Sequence, residues 1–290
     1  DVAAEPTRAA GNTTASGFYA WGGNNASLAN EAAVFAVAGH DSDDVLTHGL
    51  FLWGGDHASL DNTGDVLSLA LGNEGMATAY GLCLQGRTLS NSGNVTAAAI
   101  NPGAQRATAY GVRFFSFDRT GTFVNSGLVG AVAVGEEGGW ATGAQIDDAA
   151  QVTNSGTIEV SSTHTSAGLI VLGCTEVVNS GTISAESTKG TSYGVYQEDG
   201  RLVNKAGAAI VASSAEDDAV ALYAQRTKVL NNGTVTGDYS VLFDSGLAGT
   251  GTFVGKLYLK NARLSPGDNG IGQLNLLPVA LPDLVLVATT

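Results

Sequence analysis

Several short stretches of this chain carry residue types that could perform hydrolysis. Residues 190–194 read Gly-Thr-Ser-Tyr-Gly, which matches the G-x-S-x-G pattern around the nucleophilic serine of many hydrolases. That chemistry requires a strand before the serine and a helix after it. Here an alternating, strand-like segment follows Ser192, and alanine stands at the equivalent positions Ala79 and Ala109. The sequence therefore predicts a structural serine, and no catalytic residue is expected.

Two further stretches resemble parts of hydrolytic sites. Asp147 and Asp148 are adjacent carboxylates, and polysaccharide hydrolases place two carboxylates across a cleft. Cleavage of a polysaccharide is therefore kept as the alternative function. Residues 244–246 read Asp-Ser-Gly and resemble a protease motif, but Phe243 stands where that motif requires glycine. A protease is not expected.

One acidic cluster and four histidines are the candidates for metal binding. Asp41, Asp43 and Asp44 form the densest group of carboxylates. An EF-hand counted from Asp41 would need glycine at its sixth position and glutamate at its twelfth, where leucines stand instead. A loose surface calcium site is the one metal hypothesis that remains. The histidines lack the spacing of a zinc site and are expected to be solvated or in turns, and no cofactor is expected: His40, His48, His57 and His164.

Aromatic residues are concentrated near the start of the chain. Residues 18–21 read Phe-Tyr-Ala-Trp and residues 50–53 read Leu-Phe-Leu-Trp, each followed by two glycines. Strand alternation would place Tyr19 and Phe51 in one column on adjacent strands. Two interpretations stay open, namely core packing that caps the end of the fold and an exposed platform on which sugars stack.

Charge and composition exclude some classes of partner. The net charge of −14 argues against nucleic acids and anionic membrane surfaces, because both attract basic proteins. Charged residues make up only 14% of the 290 residues, so a large core can form. No apolar stretch is long enough for a membrane helix. Direct insertion of this segment into a membrane is therefore not expected.

The chain is organised by two interleaved repeats with one period. An asparagine recurs in steps of 25 to 34 residues, in four of eight cases inside Asn-Ser-Gly; it stands at Asn30, Asn62, Asn91, Asn125, Asn154, Asn179, Asn204 and Asn231. A glycine recurs between these anchors, in steps of 25 to 32 residues, at Gly17, Gly49, Gly81, Gly111, Gly143, Gly168 and Gly194. A period of this length indicates a solenoid.

Short alternating runs between the anchors predict the type of solenoid. Runs such as Thr157–Val160 alternate with a period of two, and no helical period lies between them. The sequence predicts an all-β, right-handed parallel β-helix of about 8 to 10 turns. Residues 16–275 would form it, with residues 1–15 as an N-terminal extension and residues 276–290 as a tail or cap.

In-register stacking assigns structural roles to both repeats. We expect the asparagines to form an amide ladder at one corner. We expect the glycines to lie at corners of the coil, where the chain needs a positive φ or a close approach between backbones. Cys83 and Cys174 lie three turns apart, so no disulfide is expected between them.

The two halves of each repeat differ in length variation and in charge. The segment from each glycine to the next asparagine is nearly constant in length, whereas the segment from each asparagine to the next glycine changes in length. Insertions in a solenoid often mark its contact edge. The more variable half holds most of the acidic residues, among them Glu74, Glu136, Glu137, Glu216, Asp217 and Asp218. This edge is interpreted either as a solvated surface or as a contact face for a cationic or carbohydrate partner.

The repeats and a terminal motif together resemble a known family. Strand starts such as Asn-Ser-Gly-Thr-Ile at 154–158 are similar to the β-helix turns of Gram-negative autotransporter passengers. Residues 249–253, Gly-Thr-Gly-Thr-Phe, and 264–274, Leu-Ser-Pro-Gly-Asp-Asn-Gly-Ile-Gly-Gln-Leu, resemble the segment such passengers carry near their last turns. After Leu276 the chain departs from that pattern.

The resemblance implies a function as well as a fold. A passenger of this type would be extracellular or displayed on a bacterial cell surface, and would act without catalysis as an adhesin or self-association scaffold. Its partner would be a surface ligand such as a carbohydrate, a host protein or another passenger copy. A polysaccharide-active enzyme and a spacer fragment of a larger passenger are the alternatives.

Overall fold

The chain folds into a parallel β-solenoid of about eight turns, here called coils. The computed structural model describes residues 2–4, 7–9, 12–103, 105–267, 273–277 and 287–289. These residues contain strands and connecting turns, and none of them forms a helix that could cross a membrane. The all-β parallel fold predicted from the repeats is confirmed, whereas the right-handed sense of the coil stays a prediction.

Each complete coil is built from three strands. A bent strand carries the repeated glycine, a short strand ends at the repeated asparagine, and a flat strand follows that asparagine. The bent strands are β3 (Asn12–Trp21), β6 (Asp44–Trp53), β9 (Ala77–Gln85), β12 (Ala107–Phe115), β15 (Gly139–Asp147) and β18 (Thr165–Leu172). The short strands are β4 (Ser27–Asn30), β7 (Ser59–Asn62), β10 (Thr88–Asn91), β13 (Gly121–Asn125), β16 (Ala149–Asn154) and β19 (Glu176–Asn179). The flat strands are β5 (Val34–Gly39), β8 (Val66–Leu71), β11 (Asn94–Asn101), β14 (Leu128–Gly135), β17 (Thr157–Ser162), β20 (Thr182–Ser187) and β22 (Ala209–Ser214).

Coils 1 to 6 begin at β3, β6, β9, β12, β15 and β18. In coils 7 and 8 the bent and short strands merge into β21 (Ser192–Asn204) and β23 (Ala219–Asn231). The ends are less regular and comprise β1 (Val2–Ala4), β2 (Thr7–Ala9), β24 (Thr234–Phe243), β25 (Gly246–Gly249), β26 (Thr252–Lys260), β27 (Arg263–Pro266), β28 (Asn275–Leu277) and β29 (Val287–Thr289).

Strands of successive coils pair in parallel and in register. Asn125, for example, pairs with Asn91 on one side and with Asn154 on the other. At the ends, β2 pairs antiparallel with β3, and β29 returns to pair with Tyr258–Lys260. Part of the terminal motif (268–272) and much of the apolar tail (278–286) lie outside the described residues.

The repeated asparagines form a continuous amide ladder inside the solenoid. Each Nδ2 donates to Oδ1 of the asparagine one coil further on, from Asn30 to Asn231, at distances between 2.7 and 3.0 Å. Most of the Nδ2 groups also donate to a backbone carbonyl two residues along the chain. Because these amides are buried, the paired bonds satisfy groups that would otherwise be costly to bury.

The core between the strands is apolar and filled by alternation. In β11 the residues Val95, Ala97 and Ala99 are buried while their neighbours face outward. The largest fully buried side chains include Phe114, Phe123 and Phe253. Small alanines stack above one another in the flat strands, as Ala99 does between Ala70 and Ala133.

The repeated glycines lie at a bend within a strand. In β12 both Gly111 and Val112 are buried, so the alternation of side chains breaks at the glycine and the strand changes direction. A Cβ atom on Gly81 would lie 2.5 Å from the carbonyl oxygen of Gly111 and 2.5 Å from Cγ1 of Val95. Close backbone approach therefore explains this glycine, which does not belong to the positive-φ residues.

Residues with positive φ form a column in the turns that follow the glycine-containing bends. One residue in each of several coils has positive φ between 50° and 69°, namely Arg119, Asp148, Gly173, Asp199, Arg226, Asp244 and Asn261. Neighbours in this column interact, as Arg119 does with Asp148 at 3.2 Å and Arg226 with Asp199 at 2.7 Å. The Arg226 guanidinium holds the pKa of the Asp199 carboxyl below its usual range.

Length variation is not confined to one edge of the coil. The connections after the flat strands range from 163–164 to 72–76, but those after the bent strands range from residue 148 alone to 116–120. The interpretation of one nearly constant half is therefore wrong. Both edges of the solenoid accept insertions because both are turns at the surface.

Candidate ligand-binding groove

The glycine bend makes the outer face of the bent strands concave. Side chains one residue before and two residues after the glycine point outward and converge. In coil 4 the Arg113 guanidinium carbon lies 5.6 Å from the centre of the Tyr110 ring. The His48 and Phe51 rings of coil 2 are 5.1 Å apart. Repetition of the bend in each coil turns this concavity into a groove that runs along the solenoid.

Stacked rings line the groove. In-register pairing places equivalent side chains above one another, at the spacing of neighbouring strands. Ring centres are 4.4 to 5.3 Å apart and the planes are within 19° of parallel in the pairs Tyr19–Phe51, Trp21–Trp53, His48–Tyr80, Tyr80–Tyr110 and Tyr196–Tyr223. We call these rings the aromatic ladder.

The first aromatic segment lies at the start of this ladder. Tyr19 and Phe51 occupy one column, as strand alternation predicts. The interpretation of these residues as core packing is wrong, since Tyr19 is 48% exposed and Trp21 is 69% exposed. The neighbouring Leu50 and Leu52 fill the core instead.

Two cavities open into the groove. The first has a volume of about 560 Å³ and is lined mainly by side chains of coils 2 to 4, including Phe51, Trp53, Tyr80, Cys83, Arg113 and Phe115. The second has a volume of about 350 Å³ and lies over coils 5 and 6, where Thr142 and Ala167 replace the rings. Tyr110 and Trp140 border it on one side, and Tyr193 and Tyr196 on the other. Both cavities coincide with interruptions of the aromatic ladder.

Two polar groups in the first cavity have shifted pKa values and lack hydrogen-bond partners. Burial lowers the pKa of His48 to about 4, so its imidazole is neutral at physiological pH. Burial also raises the pKa of the Asp147 carboxyl, which Gln145 opposes by donating a hydrogen bond to it. Neither His48 Nδ1 nor Asp147 Oδ1 has a hydrogen-bond partner, although both atoms are buried.

His48 corrects an expectation about the histidines. It is only 8% exposed and stacks against Tyr80, so it is neither solvated nor in a turn. His40 does lie in a turn, where its Nδ1 accepts from the backbone amides of Ser42 and Asp43. His57 contacts Arg87 and is exposed.

Asp147 and Asp148 do not form a pair across the groove. Asp147 lines the first cavity, whereas Asp148 has a φ of 56° and pairs with Arg119 of the preceding coil. Two carboxylates that act together on a glycosidic bond must face one substrate. The local backbone conformation directs these two side chains to different surroundings.

The other candidate residues of hydrolytic sites have structural surroundings. Ser192 begins strand β21 with its hydroxyl fully buried and without a hydrogen-bond partner. Ser245 donates to the carbonyl oxygen of Phe243 and accepts from the amide of Thr227. Neither serine lies next to a histidine in these contacts.

The cysteines and the acidic cluster lie on separate surfaces. Cys83 faces the groove and Cys174 is buried three coils further on, and both are free thiols. Asp41 and Asp43 lie in the loop that follows β5 and Asp44 begins β6, with Asp43 beside His40 at 3.5 Å. Among the residues that the structure describes, no three His, Cys, Asp or Glu side chains are grouped to hold a metal ion.

Sequence reasoning missed the groove although its signal was present. Tyrosine precedes the repeated glycine at Tyr80, Tyr110 and Tyr193, and a long side chain often follows two residues later. Read as one strand with strict alternation, these positions do not share a surface. They do so only because the glycine bend resets the alternation.

The sequence was compared with known proteins. Residues 7–210 match the family model described as the BigA third pectate lyase-like domain. This region covers more than half of the 290 residues and contains both groove cavities. No curated protein and no solved structure matches the chain.

Proposed function

The chain belongs to the family of BigA third pectate lyase-like domains, and on this premise we propose that it is a non-enzymatic, adhesin-like scaffold of a bacterial surface protein. The concave aromatic groove is its contact face. The observation that carries the proposal is the run of exposed and half-buried rings along one side of a rigid solenoid. Soluble proteins expose contiguous apolar surface mainly where they meet a partner.

The composition of the groove supports contact rather than turnover. Rings, aliphatic side chains and a few polar groups line both cavities, as in sites that hold a ligand by shape and stacking. In the first cavity the charged side chains are Arg113 and Asp147, and they lie on different coils. Such an arrangement suits recognition of a ligand by its aromatic and polar parts.

The rigidity of the scaffold supports the same function. In-register pairing and the amide ladder fix the groove side chains at the strand spacing. A preorganised surface loses little side-chain entropy when a ligand binds. An extended surface ligand lying along the groove would contact several coils at once.

The setting of the domain is proposed from its repeats and terminal motif. We assign it to the passenger region of an autotransporter, exposed outside the cell. The Asn-Ser-Gly turns and the Leu-Ser-Pro-Gly segment at 264–267 favour this assignment. Its ligand would be a carbohydrate or a host protein, with another passenger copy as the further partner. The acidic edge keeps the surface soluble.

Binding of the purified domain to panels of immobilised glycans and matrix proteins tests the proposal. The wild type should bind at least one member. A double variant, Tyr110→Ser with Tyr196→Ser, should lose that binding because it removes rings on both sides of the second cavity. The matched control is Glu136→Gln with Glu137→Gln on the exposed acidic edge, which should bind like the wild type.

If the tyrosine variant bound like the wild type and the glutamate variant lost binding, the groove would not be the contact face. Bound glycans are also to be assayed for new reducing ends after long incubation. None are expected from a non-enzymatic scaffold. Cleavage that depends on Asp147 would overturn the proposal in favour of a polysaccharide-active enzyme.

A further inference from the structure

In one column of the aromatic ladder the rings stop at Phe51 and resume only at Tyr196, and the short Cys83 leaves a gap one coil wide between Phe51 and Arg113. The column two residues after the glycine holds Tyr19, Phe51, Cys83 and Arg113 in coils 1 to 4. Phe51 and Arg113 are the register partners of Cys83 on either side. A thiol therefore stands where a ring would continue the stack.

The gap has the size of one flat ring. Two strand spacings separate Phe51 from Arg113, about 9.6 Å at roughly 4.8 Å per strand. A ring placed midway would lie about 4.8 Å from each wall by the same spacing. The stacked pairs of this protein have ring centres 4.4 to 5.3 Å apart, which brackets that value. Tyr19 covers one face of Phe51 at 4.4 Å, so the other face is directed to the gap.

Neighbouring columns enclose the gap on its sides. Trp53 and Phe115 stand on coils 2 and 4 in the outer column, with the smaller Gln85 between them. Tyr80 lines the inner side, and the Cys83 thiol lies at the bottom. All of these residues line the cavity of about 560 Å³. Sulfur against a ring is a favourable contact.

Two buried polar atoms in the same cavity lack partners. His48 is 8% exposed, its Nδ1 makes no hydrogen bond, and it lines the cavity. Asp147 Oδ1 is likewise buried and unpaired on the cavity lining, but it lies two coils beyond Cys83 and so outside the gap. Unsatisfied buried polar atoms are rare in folded proteins, so a ligand that donates a hydrogen bond would compensate His48 Nδ1.

We propose that this gap, from here on called the slot, binds one planar aromatic ring that carries a hydrogen-bond donor, of the indole or phenol type. The ring would lie between Phe51 and the Arg113 side chain, above Cys83, with its N–H or O–H on the inner side of the groove, where His48 stands on the adjacent coil. This inference rests on the proposed function, since it names the chemistry recognised within the contact groove. The ring could belong to a free compound or to an aromatic side chain of a partner.

The chemistry of the walls favours a planar ring over a saturated one. A guanidinium group is planar and stacks on π faces. A sugar ring offers no π face to Arg113, although it could stack on Phe51. Both walls are matched only by an aromatic ligand.

Titration calorimetry with N-acetyltryptophanamide tests the slot directly. Saturable binding is expected for the wild type and for Cys83→Ser, which leaves the gap open. At least a tenfold loss of affinity is expected for Cys83→Phe, because its ring would occupy the gap. Undiminished binding by folded Cys83→Phe, or equal affinity for methyl glucoside, would overturn the proposal.

Alkylation of the wild type provides a test without any substitution. Burial raises the pKa of the Cys83 thiol to about 11, so the reaction with iodoacetamide is followed at alkaline pH. The ring probe should slow alkylation of Cys83 several-fold, measured by peptide mass spectrometry, and should leave the alkylation rate of added glutathione, the control thiol, unchanged. Equal rates at Cys83 with and without the probe would exclude a ligand above the thiol.

A tryptophan-containing peptide separates the two sources of the ring. Tighter binding of Gly-Trp-Gly than of the free probe indicates a side chain of a partner, and the opposite order indicates a free compound. The proposal of the slot and the proposal of the contact groove can be refuted independently. Ring binding with no groove-dependent adhesion removes the proposed function alone. Groove-dependent adhesion with no ring binding removes the slot alone.

Discussion

Two ladders of stacked side chains run along this solenoid, one inside it and one on its surface. The asparagine ladder is buried, polar and unbroken from Asn30 to Asn231. The aromatic ladder is partly exposed and is interrupted at Cys83 and again at Thr142 and Ala167. In-register stacking produces both, but only the first repeats the same residue in every coil. Continuity of the first ladder serves the fold, and the interruptions of the second are where we propose that a ligand is recognised.

The inner ladder should be the most sensitive to substitution. Asn154→Ala leaves the Asn125 Nδ2 group without its acceptor at 2.8 Å and the Asn179 Oδ1 atom without its donor at 2.9 Å. Two unsatisfied buried groups should reduce the unfolding free energy by about 4 kcal/mol. Urea denaturation measures this change. The control is the exposed Asn94→Ala, for which a shift within about 0.5 kcal/mol is expected. Equal shifts for the two variants would contradict the structural role of the ladder.

The glycine bend that separates the two ladders should be nearly as sensitive. A Cβ on Gly111 would lie 2.6 Å from both the Gly143 carbonyl oxygen and Cγ1 of Val129. Gly111→Ala should therefore cost about 3 kcal/mol of unfolding free energy through overpacking. At Gly138 the nearest atom would be 3.7 Å away, so Gly138→Ala serves as the matched control in the same denaturation series. A stable Gly111→Ala variant would contradict the close approach of the strands at the bend.

One member of the outer ladder should make stability depend on pH. The pKa of His48 is about 4 in the fold against 6.5 for the free group. The unfolded chain therefore binds the proton first, and stability is lost as pH falls from 6.5 towards 4. His48→Phe keeps a ring in the stack and removes this loss, so it should gain about 3 kcal/mol over the wild type at pH 4.

The difference between variant and wild type isolates His48, because other titrating groups such as Asp147 are common to both. At pH 7.5 the same substitution should change stability little. Thermal unfolding from pH 4 to 7.5 provides the measurement. A pH-independent difference would show that His48 is solvated in the folded protein.

The charged column beside the two ladders should contribute least. Arg119 and Asp148 pair at 3.2 Å, but both side chains are largely exposed. A double-mutant cycle of Arg119→Ala and Asp148→Ala should give a coupling energy below about 1 kcal/mol. The coupling should fall further at high salt because exposed charges are screened. A larger value would place this column among the elements that hold the fold together.

The sequence was sufficient to predict the inner ladder. An asparagine at a fixed position in each period, followed by a turn glycine, can stack only if the coils are in register. The parallel all-β fold followed from the same repeats, since short alternating runs such as Thr157–Val160 leave no room for a helix. These features are predictable because they depend on one residue type repeated at one spacing.

The groove could not be predicted in the same way. Its columns mix residue types, so no single letter repeats. The change of direction at the glycine also moves Tyr110 and Arg113 onto one surface, which strict alternation places on opposite faces. The burial of His48 was not predicted either, because it depends on contacts with rings from three coils.

Urea unfolding of Cys83→Phe with and without N-acetyltryptophanamide tests most directly whether the gap in the outer ladder is a site. Ligand that binds only the folded state raises the unfolding midpoint. Without the probe, the completed stack should make Cys83→Phe more stable than the wild type by about 1 kcal/mol. The probe should raise the midpoint of the wild type and leave that of Cys83→Phe unchanged. A lower midpoint for Cys83→Phe, or a rise with the probe equal to that of the wild type, would contradict the account.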